Sequence, residues 1–339
     1  MTLNAIWFWV LGGMLIAYSV LDGYDLGVGA IYLWAAKGDE ERRTALNAIG
    51  PVWNGNEVWL LAAGGMLVVS FPKVYASGFS GFYLALMLVL WFLILRGVSI
   101  EFRSKLESPL WRSLFDAGFW LGSFALALLL GVALGNVLRG LPVGADGTFA
   151  GSFALTLNPY ALLTGLLSLA TLAWHGANYL RVKTEGALQE RARGWAARLY
   201  FVVLILVIAA TLMTFRVSPT VSANYHEYPE AWAFPLVALL GLTWGFRARQ
   251  AGRERWAFRG SIVTIIGLLG AAAMTVYPNL LYSTVNPDYS LTIYNSASSE
   301  HALRAALLAN VVGMIGVIIY TTYVHRTFSG KVHIGDHGY

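Results

Sequence analysis

The sequence predicts an all-α, polytopic membrane protein with nine transmembrane helices, its N-terminus outside and its C-terminus in the cytoplasm. Three observations carry that prediction. First, 57% of the 339 residues are hydrophobic and only 12% are charged, against roughly 25% charged in soluble domains, and the mean hydropathy is +0.60. Second, nine apolar runs recur, most of them long enough to cross the roughly 30 Å of a hydrocarbon core. Third, the basic residues alternate between the connections on the two sides. An ordinary cytosolic enzyme is excluded. The absence of cysteine also excludes disulfides, thiolate catalysis, iron–sulfur clusters and Cys-based haem attachment.

The runs fall near 5–35, 51–70, 76–98, 114–138, 158–180, 198–215, 231–247, 260–278 and 302–324. None has the alternating pattern of a lipid-facing strand, and backbone polar groups in hydrocarbon must be satisfied within the segment, so each is a helix. The first lacks a charged leader and a small-residue cleavage site and is expected to be retained. Of the 23 Lys and Arg, 18 lie in or beside the linkers after spans one, three, five and seven and in the C-terminal tail. Lys73, Arg139, Arg216 and Arg304 lie on the other side, and Arg96 lies inside the third span. Basic loops stay in the cytoplasm, which sets the orientation. The same pattern explains the net charge of +5 without nucleic acid as a partner.

The outer connections 139–157, 216–230 and 278–301 are rich in Gly, Pro, Ser, Asn and Tyr; they are either lids, subunit contacts or plain connections. Trp7, Trp9, Trp34, Trp111, Trp195, Trp232, Trp244 and Trp256 recur near span ends, the depth that amphipathic rings prefer, and are expected to anchor the helices. The glycine pairs Gly12–Gly13, Gly27–Gly29, Gly64–Gly65 and Gly78–Gly81 are expected to permit close helix approach. Four helices in 1–140, four in 155–280, a ninth in 300–325 and a tail of 326–339 are compatible with the loop lengths.

Ionisable side chains within spans are expensive and each needs a partner. Asp22 and Asp25, in LDGYDLGVG, share one helical face. Arg96 and Asp116 lie near the inner ends of the third and fourth spans, so Asp25, Arg96 and Asp116 are expected to meet. That cluster is either an ion lock for helix packing or part of a proton or ion path, which Asp22 would join. In GPVWNGNEVWLL, Asn54, Asn56 and Glu57 open the second span. They are either helix caps and packing hydrogen bonds or, with Glu57 as acid, the cytoplasmic mouth of a proton path. His175 is the single histidine deep in a span; haem ligation would need a second inward ligand at matching depth, so a hydrogen-bonded packing role is expected.

The motifs LDGYDLGVG, ERRTALNAIGPVWNGNEVWL, FPKVYASGFSGFY and LRGVSIEFRSK…WRSLFDAGFW resemble the second subunit of cytochrome bd quinol oxidases, densely over residues 15–140 and more loosely beyond. The resemblance implies a respiratory complex of the bacterial or archaeal cytoplasmic membrane that oxidises ubiquinol or menaquinol and reduces dioxygen to water. It implies a partner, subunit I, that holds haems b and d, no cofactor bound by this chain, and small single-span subunits, lipids and quinone around the pair. It implies two four-helix bundles plus one peripheral helix, and the generation of proton-motive force without pumping. The family's buried Asp, Arg and Asp map onto Asp25, Arg96 and Asp116. Many members read WDGNQVW or WDGNEVW where this chain reads WNGNEVW, so Asn54 replaces an acid implicated in proton intake. Glu57, one turn further on, is the candidate substitute. An ion-coupled secondary transporter is the alternative from another class; it would be expected to show internal repeats and interrupted helices.

Overall fold

The computed structural model describes residues 2–332. Thirteen α-helices are present among them: α1 (Leu3–Ala35), α2 (Gly38–Ile49), α3 (Trp53–Ser70), α4 (Pro72–Gly81), α5 (Tyr83–Phe102), α6 (Pro109–Arg139), α7 (Phe153–Thr156), α8 (Pro159–Lys183), α9 (Gly186–Val217), α10 (Val221–Glu227), α11 (Ala233–Gln250), α12 (Glu254–Val276) and α13 (Glu300–Thr327). Two short strands, β1 (Asn279–Leu281) and β2 (Leu291–Thr292), pair antiparallel between α12 and α13. The chain is an all-α polytopic membrane protein. Eight helices among the described residues are long and apolar enough to cross a bilayer. Of the nine expected spans, the second corresponds to α3, an 18-residue helix whose opening WNGNE dilutes its apolar character.

Caps set several starts where the hydropathy pattern alone is silent. Ser108 accepts from the Trp111 N–H ahead of Pro109, so α6 begins five residues before the expected 114. Asn158 and Pro159 open α8, and Ser299 opens α13, in the same way. The expected span 76–98 is two helices, α4 and α5, because α4 opens with Pro72 at the chain turn of Phe71 and ends at Phe82. The first connection is not a bare loop: its acids Asp39, Glu40 and Glu41 lie in the first turn of α2, which buries Ala45, Leu46, Ala48 and Ile49.

Helix α1 is the axis of the molecule. It packs on α3, α6, α8, α12 and α13, and from Asp22 to Tyr32 every residue is buried. Its approach to α8 depends on glycine: a Cβ at Gly27 would lie 1.8 Å from the Leu172 carbonyl oxygen, and one at Gly176 would lie 2.3 Å from the Gly27 carbonyl carbon. By contrast Gly12, Gly13, Gly64, Gly65 and Gly78 face open space. Those five permit no close helix approach within this chain, since helical spacing does not reveal which side a glycine faces. On the other flank, α8 pairs with α9 and α12, and α11 with α12. The last helix, α13, rests on α3 and α1, and only 11% of its apolar window is buried.

The connections 139–157 and 278–301 pack on one another. The Leu141 N–H donates to Tyr282 O at 2.9 Å, and Ser283 Oγ donates to Val143 O at 2.6 Å. Leu141, Val143, Leu281, Leu291 and Ile293 form one apolar cluster with Trp7, Phe8 and Leu11. Trp7 is therefore no interfacial anchor: it is fully buried and its indole donates to Leu303 O at 3.1 Å. Trp34, Trp232, Trp244 and Trp256 are exposed, as anchoring requires. Of the tail 326–339, the part from 333 onward lies outside the described residues.

Candidate functional site

Buried charge is concentrated in two clusters, and they lie at different depths. The first is built by α1, α3 and α5. One helical turn of α1 places Asp22 and Asp25 on the same side, and α5 brings Arg96 against them. Arg96 holds Asp22 with both terminal nitrogens, Nη2 to Oδ1 at 2.7 Å and Nη1 to Oδ2 at 3.4 Å, with both side chains fully buried. Glu57 of α3 joins from the other side, its Oε2 3.5 Å from Arg96 Nη1, and its side chain keeps 22% of its surface exposed. Trp53 closes the cluster, with the guanidinium 6.0 Å from its ring centre. Asp25 is held differently: the Asn56 amide donates to its Oδ2 at 2.8 Å, while Oδ1 has no hydrogen-bond partner among the described residues. The Arg96 Nε is likewise unpartnered. Asn54 lies on the exposed side of α3.

The second cluster sits around Asp116, at the end of α5 and the start of α6. Asp116 accepts from Arg103 Nε at 2.5 Å, Arg42 Nη1 at 2.7 Å and the Tyr32 hydroxyl at 2.6 Å. Arg103 also binds Asp39 at 2.9 Å, and Asp39 binds Arg112 at 3.1 Å. The expected meeting of Asp25, Arg96 and Asp116 is thus corrected. Arg96 pairs with Asp22 and Glu57, Asp25 lies beside them on Asn56, and Asp116 belongs to Arg103. The physical reason is helix rise. Arg103 follows Arg96 by two turns, about 10 Å along the axis, and the tight turn 103–108 returns α6 at the level of Arg103, not of Arg96.

His175 is fully buried with both ring nitrogens engaged. Its Nε2–H donates to Val20 O at 3.0 Å, Nδ1 meets Ser261 Oγ at 2.7 Å, and Phe258 stacks on the ring at 4.8 Å. No nitrogen of His175 is left to face a haem iron, so this residue has the packing role expected of it. Among the described residues no group of three or more His, Asp or Glu is gathered as a metal would require.

Three residues of the site escaped the sequence reading. Tyr24 lies between the two acids of LDGYDLGVG and turns to the α13 side, where its hydroxyl meets His325 Nε2 at 3.0 Å and accepts from Asn56 at 2.8 Å. Arg103 had a usable signal, since it precedes Asp116 by 13 residues across a short turn. His325 had none, because nothing in the sequence brings the end of the last helix to the middle of the first.

The sequence matches the family described as cytochrome bd terminal oxidase subunit II over residues 3–328. It is 37% identical to a protein of Haemophilus influenzae named probable cytochrome oxidase subunit 2, and 32% identical to cytochrome bd-I ubiquinol oxidase subunit 2 of Escherichia coli; each alignment covers 97% of this chain and 95% of the relative. Cytochrome bd ubiquinol oxidase subunit 2 of Bacillus subtilis is 30% identical over 96% of both chains. A chain in the structure of bd oxidase from Geobacillus thermodenitrificans has the same fold, with a TM-score of 0.80 at 21% identity over 97% of this chain and 99% of that one.

Proposed function

We propose that this chain, which belongs to the cytochrome bd terminal oxidase subunit II family, is the haem-free half of a quinol oxidase and carries a path for proton uptake. Membership implies a subunit I partner, haems in the complex and a multi-pass place in the bacterial inner membrane. In the proposed role all haems sit in subunit I, which oxidises quinol and reduces dioxygen to water, and this subunit supports assembly and haem retention. Proton-motive force arises because protons are taken from the cytoplasm while those of quinol are released outside, with no pumping. The chain spans the membrane nine times, α3 being the second span, with the N-terminus outside. Residues 1–140 and 155–280 act as two four-helix bundles, and α13 rides at the edge.

The observation that supports proton uptake is the unsaturated state of the first cluster. Here a carboxylate oxygen able to take a proton, Asp25 Oδ1, is buried without a partner, whereas at Asp116 both carboxylate oxygens are bonded and only guanidinium nitrogens are left over. Glu57 links that interior to a partly exposed face of α3. A carboxylate facing lipid is costly, so this face is covered by subunit I or by a hydrated crevice. Asn54, on the same exposed face, orders water at the mouth by hydrogen bonding and does not itself bind the proton.

The test of the role is purification of the tagged chain from its native membrane, followed by an absorption spectrum. A co-purifying haem-bearing partner with quinol-dependent oxygen consumption is expected, and the chain expressed alone is expected to be colourless. A stoichiometric Soret band from the lone chain contradicts the haem-free role, and a colourless preparation from native membranes contradicts the oxidase role.

A further inference from the structure

We propose that His325 and Tyr24 form a second, cytoplasm-facing inlet that delivers protons to Asp25, a proposal that rests on the proton-uptake reading above and on its orientation. The geometry fixes the hydrogen positions. His325 Nδ1 lies 2.8 Å from the Thr321 carbonyl, which can only accept, so Nδ1 carries the proton. Nε2 of the neutral ring is then the acceptor of the Tyr24 hydroxyl at 3.0 Å. The Tyr24 oxygen accepts from the Asn56 amide, and the same nitrogen donates to Asp25 Oδ2, both at 2.8 Å. One amide therefore holds the phenol and the carboxylate within the span of a single bridging water or a turn of the hydroxyl. The Tyr24 ring is fixed by stacking on Tyr179, with ring centres 4.0 Å apart.

The outer end of this chain is reachable. His325 lies in the last turn of α13 and is only partly buried, whereas Tyr24 and Asn56 are 2% and 1% exposed. A cavity of about 10 Å³ lies between Pro51, Gly55 and Asn56 on one side and Tyr320, Thr321 and His325 on the other, about the volume that one water needs. From α1 the imidazole meets Tyr24, from α3 and the turn before it Asn56, Gly55 and Pro51, and along its own helix Tyr320 and Arg326. An imidazole can take a proton on one nitrogen while it keeps the proton on the other, which suits it to relay protons.

The transfer balances. A proton from water binds His325 Nε2 and the ring becomes imidazolium. Nε2–H then passes to the Tyr24 oxygen as the Tyr24 hydroxyl proton leaves for the Asp25 carboxylate. The imidazole and the phenol return to their neutral forms, and one proton has moved from the cytoplasm to Asp25. Asn56 only holds the two oxygens. Asp25 Oδ1, buried and without a partner, is the free position at which the carboxyl can turn toward Asp22 and Arg96. The route uses neither position 54 nor position 57, so it supplies the inner acids even though Asn54 cannot bind a proton.

The test uses the purified oxidase complex carrying Tyr24→Phe, His325→Gln, both together, or His325→Gly, with quinol-driven oxygen consumption followed against pH. Each single variant is expected to slow turnover about tenfold on the alkaline side with haem content unchanged. This is below the hundredfold or more of a sole proton-transfer group, because Glu57 remains as another inlet. The double variant should be no slower than either single, as two links of one chain behave, and added imidazole should restore His325→Gly, which a packing role would not allow. Wild-type turnover in Tyr24→Phe and His325→Gln while Asp25→Asn is slow would overturn this inlet and leave the uptake reading standing. Unchanged turnover in Asp25→Asn and Glu57→Gln as well would overturn that reading. If Tyr24→Phe fails to assemble, imidazole rescue of His325→Gly decides alone, and its failure overturns the proposal.

Discussion

The two buried charge clusters use the same side chains to opposite ends. Around Asp116 two guanidiniums and a phenol converge on one carboxylate, and Asp39 ties Arg103 onward to Arg112. Around Arg96 one guanidinium serves Asp22 and Glu57, and Asp25 leans on an amide. The first arrangement bonds both oxygens of Asp116, leaving only guanidinium nitrogens of Arg103, Arg42 and Arg112 without partners, and is reached by solvent at Arg42, Asp39 and Arg112. The second is dry at its centre and incompletely bonded. A carboxylate with both oxygens bonded resists rearrangement; one with a free oxygen can accept a proton without first breaking a bond. On the proposed reading, the contrast separates a structural lock at the helix ends from a network suited to conduction within the membrane.

Arg96→Ala breaks the contrast most severely. It strands Asp22 and Glu57 in a low-dielectric site, a loss of about 3–5 kcal/mol for a broken buried pair, and the yield of assembled complex should collapse, as read from haem recovered per milligram of membrane protein. Combining Arg96→Met with Asp22→Leu and Glu57→Gln removes the charges together; this triple variant should recover assembly yet stay slow in oxygen reduction, which separates packing from conduction. Asp116→Asn is expected to be milder, about 2–3 kcal/mol for charged hydrogen bonds weakened, because Arg103 keeps Asp39. Its signature is a lower unfolding temperature of the complex with turnover per haem intact. Asn54→Asp should have the smallest effect: assembly and turnover should match the parent protein within a factor of about two, less than one tenfold step of 1.4 kcal/mol in barrier.

The sequence revealed the class of the fold, most of its long apolar helices and the buried Asp22, Asp25, Arg96 and Asp116, because an ionisable residue in an apolar run stands out on cost alone; it missed Arg103 and Arg181, buried near helix ends. It did not reveal who pairs with whom. Asp116 was assigned to Arg96 from estimated depth, and depth depends on helix ends that Ser108 and Pro109 shift by more than a turn. Asp22, expected as a path residue, is the closest partner of Arg96. Glycines were legible as small but not as facing: Gly27 touches α8 and Gly64 touches nothing. Trp7 sat at the depth of an anchor and is core, because the outer connections fold over it, and contacts between segments nearly 300 residues apart leave no mark in local pattern. The meeting of Tyr24 with His325 was hidden for the same reason.

Glu57 is the residue on which the two-cluster account turns, since it alone of the Arg96 cluster reaches a partly exposed surface. The most direct measurement is the rate of quinol-driven oxygen reduction by the purified complex carrying Glu57→Gln, with haem content recorded on the same sample. The amide keeps the shape and an oxygen toward Arg96 but cannot carry a proton. A fall in turnover of about tenfold or more with haem content unchanged is the predicted result. Unchanged turnover at full haem content would contradict the account and reduce the Arg96 cluster to a packing device like its neighbour at Asp116.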